Sequence, residues 1–171
     1  MKAKKILVTG TFNSGKTLFV QTASEIPIVT TERRISEAQL AKVKEETTVA
    51  MDYGQVHIDD TLLHLYGTPG QNRFDFMWSI LARDADAFVL VVDSRDRGSW
   101  MEAVQILRTL RKQERVPFVV AANKQDGRRA MSPAEIARAL DLPSSVPVVS
   151  CVARDEASVR NVLQEALNLI S

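Results

Sequence analysis

The chain has 171 residues, of which 45% are hydrophobic and 25% charged, with a net charge of +1. That length and balance predict one globular domain over residues 1–171 with its own core, and no overall field to attract nucleic acid or an anionic membrane. One cysteine, Cys151, leaves no internal disulfide to form, no apolar run is long enough to cross a bilayer, and neither Lys2 nor the 168–171 end offers a lipidation signal. A cytoplasmic protein with no direct membrane anchor is expected.

Strand-like and helix-like segments alternate, the pattern of a three-layer α/β domain. Residues 4–9 form the first predicted strand, and Leu18, Phe19, Thr22 and Ala23 follow at helical spacing. Residues 26–48 are longer and more polar than a compact connection, with Ser36 and Gln39 as a capping box for a short helix over 36–44. Residues 49–58 and 61–66 predict a hairpin closing at Asp59-Asp60, which supplies one antiparallel edge strand. The two histidines, His57 and His64, fall in this hairpin without a cysteine or further histidine at ligand spacing, so structural or surface roles are expected. Residues 87–92, 117–122 and 146–149 are continuously apolar, as strands covered on both faces are. Ser132-Pro133-Ala134-Glu135 starts a helix with an N-cap serine, proline first and glutamate third. Trp100, Val104, Leu107 and Leu110 form one apolar stripe; Val159, Val162, Leu163, Ala166, Leu167 and Ile170 form another.

Chemistry enters with Gly10-Thr11-Phe12-Asn13-Ser14-Gly15-Lys16-Thr17, which fits G-x-x-x-x-G-K-[ST] between the first strand and the first helix. Glycine at 10 and 15 lets the backbone turn and approach a phosphate closely. The amides from Asn13 and Ser14 through Gly15 to Thr17 form an anion nest at a helix N-terminus. Lys16 brings a point charge for the outer phosphates, and Thr17 a hydroxyl for Mg²⁺. The predicted fold is a P-loop NTPase domain: a six-stranded, mostly parallel sheet with one antiparallel edge strand and helices on both faces.

Asn123-Lys124-Gln125-Asp126 selects the base. The Asp126 carboxylate can accept from the ring N–H and the exocyclic amine of guanine, whereas adenine presents an acceptor in place of that N–H and leaves the carboxylate unpaired. Asn123 would hold the loop and reach the purine edge, and the stem of Lys124 would lie along the base face. Ser150-Cys151-Val152, after the last strand, is placed for a backbone amide to meet the guanine oxygen.

At these residues the chain resembles the Ras-like small GTPases over nearly its whole length. The octet at 10–17, Thr48, Gly67-Thr68-Pro69-Gly70-Gln71, Asn123 to Asp126 and Ser150 come in that family's order and spacing. Residues 48–53 look most like the Rab branch. The proline in Thr68-Pro69-Gly70-Gln71 is more similar to prokaryotic members, such as the bacterial gliding-polarity GTPases and those of actinobacterial sensor clusters. The resemblance implies a molecular switch that binds GTP and GDP with Mg²⁺ and hydrolyses GTP slowly, with switch I over 26–48 and switch II over 67–83. It implies Thr48 as a Mg²⁺ ligand in the GTP state, the Gly70 amide on the γ-phosphate and Gln71 orienting the attacking water. A regulator or effector of the roadblock/longin type is also implied; Phe74, Phe76, Met77 and Trp78 are candidates either for a partner-binding face or for packing switch II onto the body.

Two positions depart from that family's pattern. Gly67 stands where the family has an aspartate that holds Mg²⁺ through water, and Asp52 is the candidate substitute. Phe12 stands where Ras has glycine and would crowd an inserted arginine, which predicts slow hydrolysis; Arg33, Arg34 or Arg73 are candidate charges in cis. The alternative reading is a guanine-nucleotide-binding scaffold with negligible hydrolysis.

Overall fold

The computed structural model describes residues 2–35, 47–68, 84–113 and 116–171, with the backbone alone at 30–35, 47–50 and 112–113. The chain runs β1 (Lys2–Gly10), α1 (Lys16–Ala23), β2 (Val29–Ile35), β3 (Thr47–Ile58), β4 (Thr61–Gly67), β5 (Ala87–Asp93), α2 (Trp100–Gln113), β6 (Phe118–Asn123), α3 (Pro133–Ala139), β7 (Val148–Ser150) and α4 (Glu156–Ile170). The strands form one sheet in the order β2-β3-β4-β1-β5-β6-β7. β1 pairs in parallel with β4 and β5, and β6 in parallel with β5 and β7. β3 pairs antiparallel with β4 on one side and β2 on the other, so it alone runs against the rest.

The six expected strands are present, and β3 is the expected antiparallel one. It is not the edge, however, because β2 pairs outside it from Val29↔Tyr53 to Ile35↔Thr47. Thr30-Thr31-Glu32-Arg33-Arg34 has no apolar alternation to announce a strand; β2 is defined by its backbone ladder to β3, which is what an edge position requires. The helix expected over 36–44 lies outside the described residues.

Every residue of β5 and β6 is buried, as their unbroken apolar runs predicted. Alternate side chains feed two cores. Leu7, Phe88, Leu90, Val92 and Val120 pack with Trp100, Ile106, Leu107 and Leu110 of α2 and Ile136 of α3. Ile6, Val8, Val89, Val91 and Val119 pack on the other face with Phe19 and Val20 of α1 and with Val159, Val162, Leu163 and Leu167 of α4. The Ser132 capping box is formed in both directions and starts α3. Of the hairpin histidines, His57 hydrogen-bonds Glu25 at 2.8 Å, and His64 shares a 2.7 Å hydrogen bond with the Tyr53 hydroxyl. No helix among the described residues is long and apolar enough to cross a membrane.

This topology brings one set of strand ends together. The parallel strands finish at Gly10, Gly67, Asp93, Asn123 and Ser150 along one edge of the layers. β3 runs the other way, so an early residue, Asp52, lies opposite Gly67 at that same edge. In open α/β sheets ligands bind outside these carboxyl ends.

Candidate functional site

Between β1 and α1 the backbone turns left-handed at Gly10 (φ +152°), Asn13 (φ +64°) and Gly15 (φ +105°). The two glycines are also required by the protein itself, which the motif alone does not reveal. A Cβ at 10 would collide with the Val91 carbonyl oxygen of β5, and a Cβ at 15 with the Asn123 side-chain amide. The loop is therefore seated on the ends of its neighbouring strands. α1 opens with no side-chain cap and no acidic residue of its own in the first turn, so its leading amides are not capped from within the helix.

The interior of the loop fits a polyanion. The Lys16 ammonium donates to the carbonyl oxygens of Gly10 and Thr11, each at 2.9 Å, and burial pulls its pKa from 10.5 down to about 8. The hydroxyls of Thr11 and Ser14 are buried without a hydrogen-bond partner among the described residues. A buried, unpaired hydroxyl typically costs about 1–3 kcal/mol, so two of them beside a desolvated cation mark a place that gains from oxygen acceptors.

Next to this loop the Thr17 hydroxyl donates to Asp52 Oδ2 at 3.0 Å. A hydroxyl and a carboxylate are the hard oxygen donors that Mg²⁺ takes while keeping several waters, so the pair fits that ion. No group of three His, Cys, Asp or Glu side chains able to hold a metal occurs among the described residues. A cation held by this pair would take further ligands beside them, water and phosphate oxygens among them. Thr48 pairs with Arg34 in the β2–β3 ladder and is described in backbone only, as are Arg33 and Arg34. Gly70, Gln71, Arg73, Phe74, Phe76, Met77 and Trp78 lie outside the described residues.

The second half of the site is a cavity of about 210 Å³ lined in part by Gly15, Leu18, Asn123, Lys124, Asp126 and Val152. Asn123 is a strut: its Nδ2 donates to Ser14 O at 2.8 Å, and its Oδ1 accepts from the Ala153 amide at 2.9 Å. It ties the phosphate loop to the chain after β7. Lys124 adopts φ +66°, and its ammonium donates to Asn13 O and to Asp93 Oδ2, both at 2.8 Å. Asp126 stands at the rim with its Oδ2 2.6 Å from the Arg154 guanidinium. The amides expected to meet a base oxygen are engaged within the chain: Cys151 N–H with Ala122 O, and Val152 N–H with the Ser158 hydroxyl at 2.8 Å. Of the two, only Val152 is held by a side chain, which a rotation of Ser158 would release. Ser150 ends β7 and is exposed, while the Cys151 thiol is buried, which pushes its pKa up to about 11 and leaves it unreactive.

Asp93 is the residue that sequence reading missed. It is the last residue of β5, reads there as the polar end of an apolar run, and is buried behind the cavity lining, on the Lys124 ammonium. Burial alone would raise its pKa, but hydrogen bonds from Lys124 and the Arg95 amide outweigh that and hold the carboxyl below its ordinary value. A depressed carboxyl keeps its charge above that value, so the Lys124 contact is lost only as pH falls through it. The available signal was positional: the first polar residue at the carboxyl end of a buried parallel strand. Asp93→Asn removes one charge-assisted bond of roughly 1.5 kcal/mol from Lys124, which lines the cavity. An affinity loss of about tenfold for nucleotide is expected by calorimetry, with the loss confined to ligands that carry the base.

A glycine-turned anion cradle at the end of β1, the strand between β4 and β5, joined by Asn123 to a carboxylate-rimmed pocket, defines a P-loop nucleotide-binding protein. A family model described as the ADP-ribosylation factor family matches residues 1–171, and the chain belongs to that family of small GTPases. Members bind GTP and GDP, typically with Mg²⁺, and are GTP hydrolases. The chain is 32% identical to ADP-ribosylation factor-like protein 3 of Chlamydomonas reinhardtii over 143 residues, covering 82% of this chain and 73% of that one. It is 30% identical over 123 residues to an uncharacterized protein of Methanocaldococcus jannaschii, covering 71% and 70%. In fold it is similar to the Arl6 small GTPase of Trypanosoma brucei, solved with the nucleotide analogue GppNp, at a TM-score of 0.74, 20% identity and coverage of 99% and 98%.

Proposed function

We propose that this chain is a guanine-nucleotide switch of one domain, 1–171, that binds GTP and GDP with Mg²⁺ and hydrolyses GTP slowly. The observation that carries this reading is Asn123, whose two ends join the phosphate cradle at Ser14 to the pocket wall at Ala153. Phosphate and base recognition are thereby built as one unit. Thr17, Thr48 and Asp52 hold Mg²⁺, Gly70 and Gln71 act at the γ-phosphate, and residues 26–48 and 67–83 order in the GTP state. The likeness of Thr68-Pro69-Gly70-Gln71 to prokaryotic members is the ground for a prokaryotic branch, with a roadblock/longin-type partner and a cytoplasmic setting.

Slow hydrolysis is supported by Phe12, whose side chain stands out of the phosphate loop at 70% exposure, where it obstructs an inserted arginine. A scaffold with negligible turnover is the second reading, favoured by Phe12 together with Gly67. The test is calorimetry on nucleotide-free protein with Mg²⁺, GTP against ATP, followed by single-turnover phosphate release over hours. Preference for GTP with slow release of phosphate supports the switch; preference without release supports the scaffold. Equal binding of GTP and ATP removes both.

A further inference from the structure

Asp52 and Gly67 are direct partners across the antiparallel β3–β4 ladder. Gly67 is not forced by its backbone, since its φ lies outside the left-handed region, nor by lack of room. A Cβ added there would meet Val20 Cγ2 at 3.4 Å and Asp52 Cβ at 3.5 Å, both ordinary contacts. A Cβ at 67 is thus tolerated and none is there, while its partner across the ladder carries a carboxylate that reaches the Thr17 hydroxyl of the phosphate loop. Two carboxylates side by side at 52 and 67 would repel unless a cation stood between them. One carboxylate on this pair of positions, with phosphate and water, suffices for a Mg²⁺ ion.

We infer that the two positions are interchangeable seats for one Mg²⁺-holding carboxylate, and that this chain has placed it on β3 at Asp52 rather than on β4 at 67. This rests on the reading of residues 10–17 as the nucleotide site and adds a consequence to it. On β3 the carboxylate is four residues from Thr48 in the same strand, whereas position 67 leads into residues 68–83. Mg²⁺ therefore anchors the strand that follows switch I directly to α1 through Thr17. Its retention depends on the β3–β4 register at Asp52↔Gly67 and not on the conformation of the chain after Gly67.

The experiment follows release of a fluorescent GDP derivative against Mg²⁺ concentration, with Mn²⁺ binding by electron paramagnetic resonance as a second readout. The proteins are wild type, Asp52→Asn, Gly67→Asp and the double exchange Asp52→Asn with Gly67→Asp. Asparagine keeps the size of the side chain and an oxygen that can accept from Thr17, so folding is preserved while the charge is removed. Asp52→Asn is expected to raise the Mg²⁺ midpoint at least about tenfold. The double exchange is expected to bring the midpoint back to within about threefold of wild type. An unchanged midpoint in Asp52→Asn overturns the assignment of Asp52. A raised midpoint that Gly67→Asp fails to rescue overturns the exchange. Failure of the wild type to bind the GDP derivative at all, even in excess Mg²⁺, is a distinct result that overturns the nucleotide site itself.

Discussion

Replacing Asp126 by asparagine lowers the affinity for GTP and GDP by about 10²–10³-fold, because two hydrogen bonds to a desolvated carboxylate are exchanged for one bond and one clash of donors. ATP binding, which never used that carboxylate, stays where it was. The amide that replaces one carboxylate oxygen now presents a donor toward C2 of the purine, so xanthine, with a carbonyl there, is the base that recovers affinity. Arg154 makes this prediction sharper. Its guanidinium sits 2.6 Å from Asp126 Oδ2 and is itself a fork of N–H donors, the same kind of partner that guanine offers. A base entering the pocket must displace or share it. The arginine side chain is 73% exposed, and an ion pair so placed is worth about 0–1 kcal/mol, so Arg154→Gln tightens GDP by no more than about fivefold. The two substitutions break the same ion pair and move guanine affinity in opposite directions. A purely structural pair would move it the same way in both. Calorimetric titration of GDP, XDP and ADP against each variant reads the difference.

That the place of Asp126 beside the cavity was legible from sequence and the contact of Asp93 was not has a physical basis. Asp126 belongs to a polar run that interrupts the chain after a buried strand, and its spacing to Asn123 carries the chemistry of the base. Asp93 acts through Lys124, 31 residues away, and nothing local distinguishes a carboxylate that orients a lysine from one that caps a strand. The same division runs through the fold. Strands β5 and β6 declared themselves because burial on both faces demands apolar residues at every position. The stripe from Val159 to Leu167 declared α4 because one helix face meets the sheet. β2 did not, because an edge strand owes its existence to its neighbour's free backbone groups and leaves little mark on side-chain choice. The motif glycines were found for one reason and serve a second: Gly10 and Gly15 give way to Val91 and Asn123, contacts that only the packed chain reveals.

Lys16 predicts a pair of opposed responses. In the free protein its ammonium is buried against two carbonyl oxygens, and its pKa stands at about 8 against 10.5 in an exposed chain. Between these values the unfolded chain holds a proton that the folded chain has released, so the stability of the nucleotide-free protein rises with pH from about 8 toward 10.5. Lys16→Met removes the buried charge outright, and the melting temperature of the free protein is expected to rise by about 2–4 °C at pH 7. Nucleotide binding responds in the other sense. Triphosphate oxygens restore the charged form, so affinity falls as pH climbs through about 8, and Lys16→Met costs about 10²–10³-fold at neutral pH. The sign is checked by the proton count. At pH 8 the free lysine is close to half protonated and the bound one fully so. Calorimetry in two buffers of different ionisation enthalpy should therefore show uptake of about half a proton per GDP, and Lys16→Met should show none. A lysine that merely braced the loop would lose stability and affinity together on substitution and take up no proton on binding. The crossing of the two trends is specific to a cation held ready, at a cost to the free fold, for an anionic ligand.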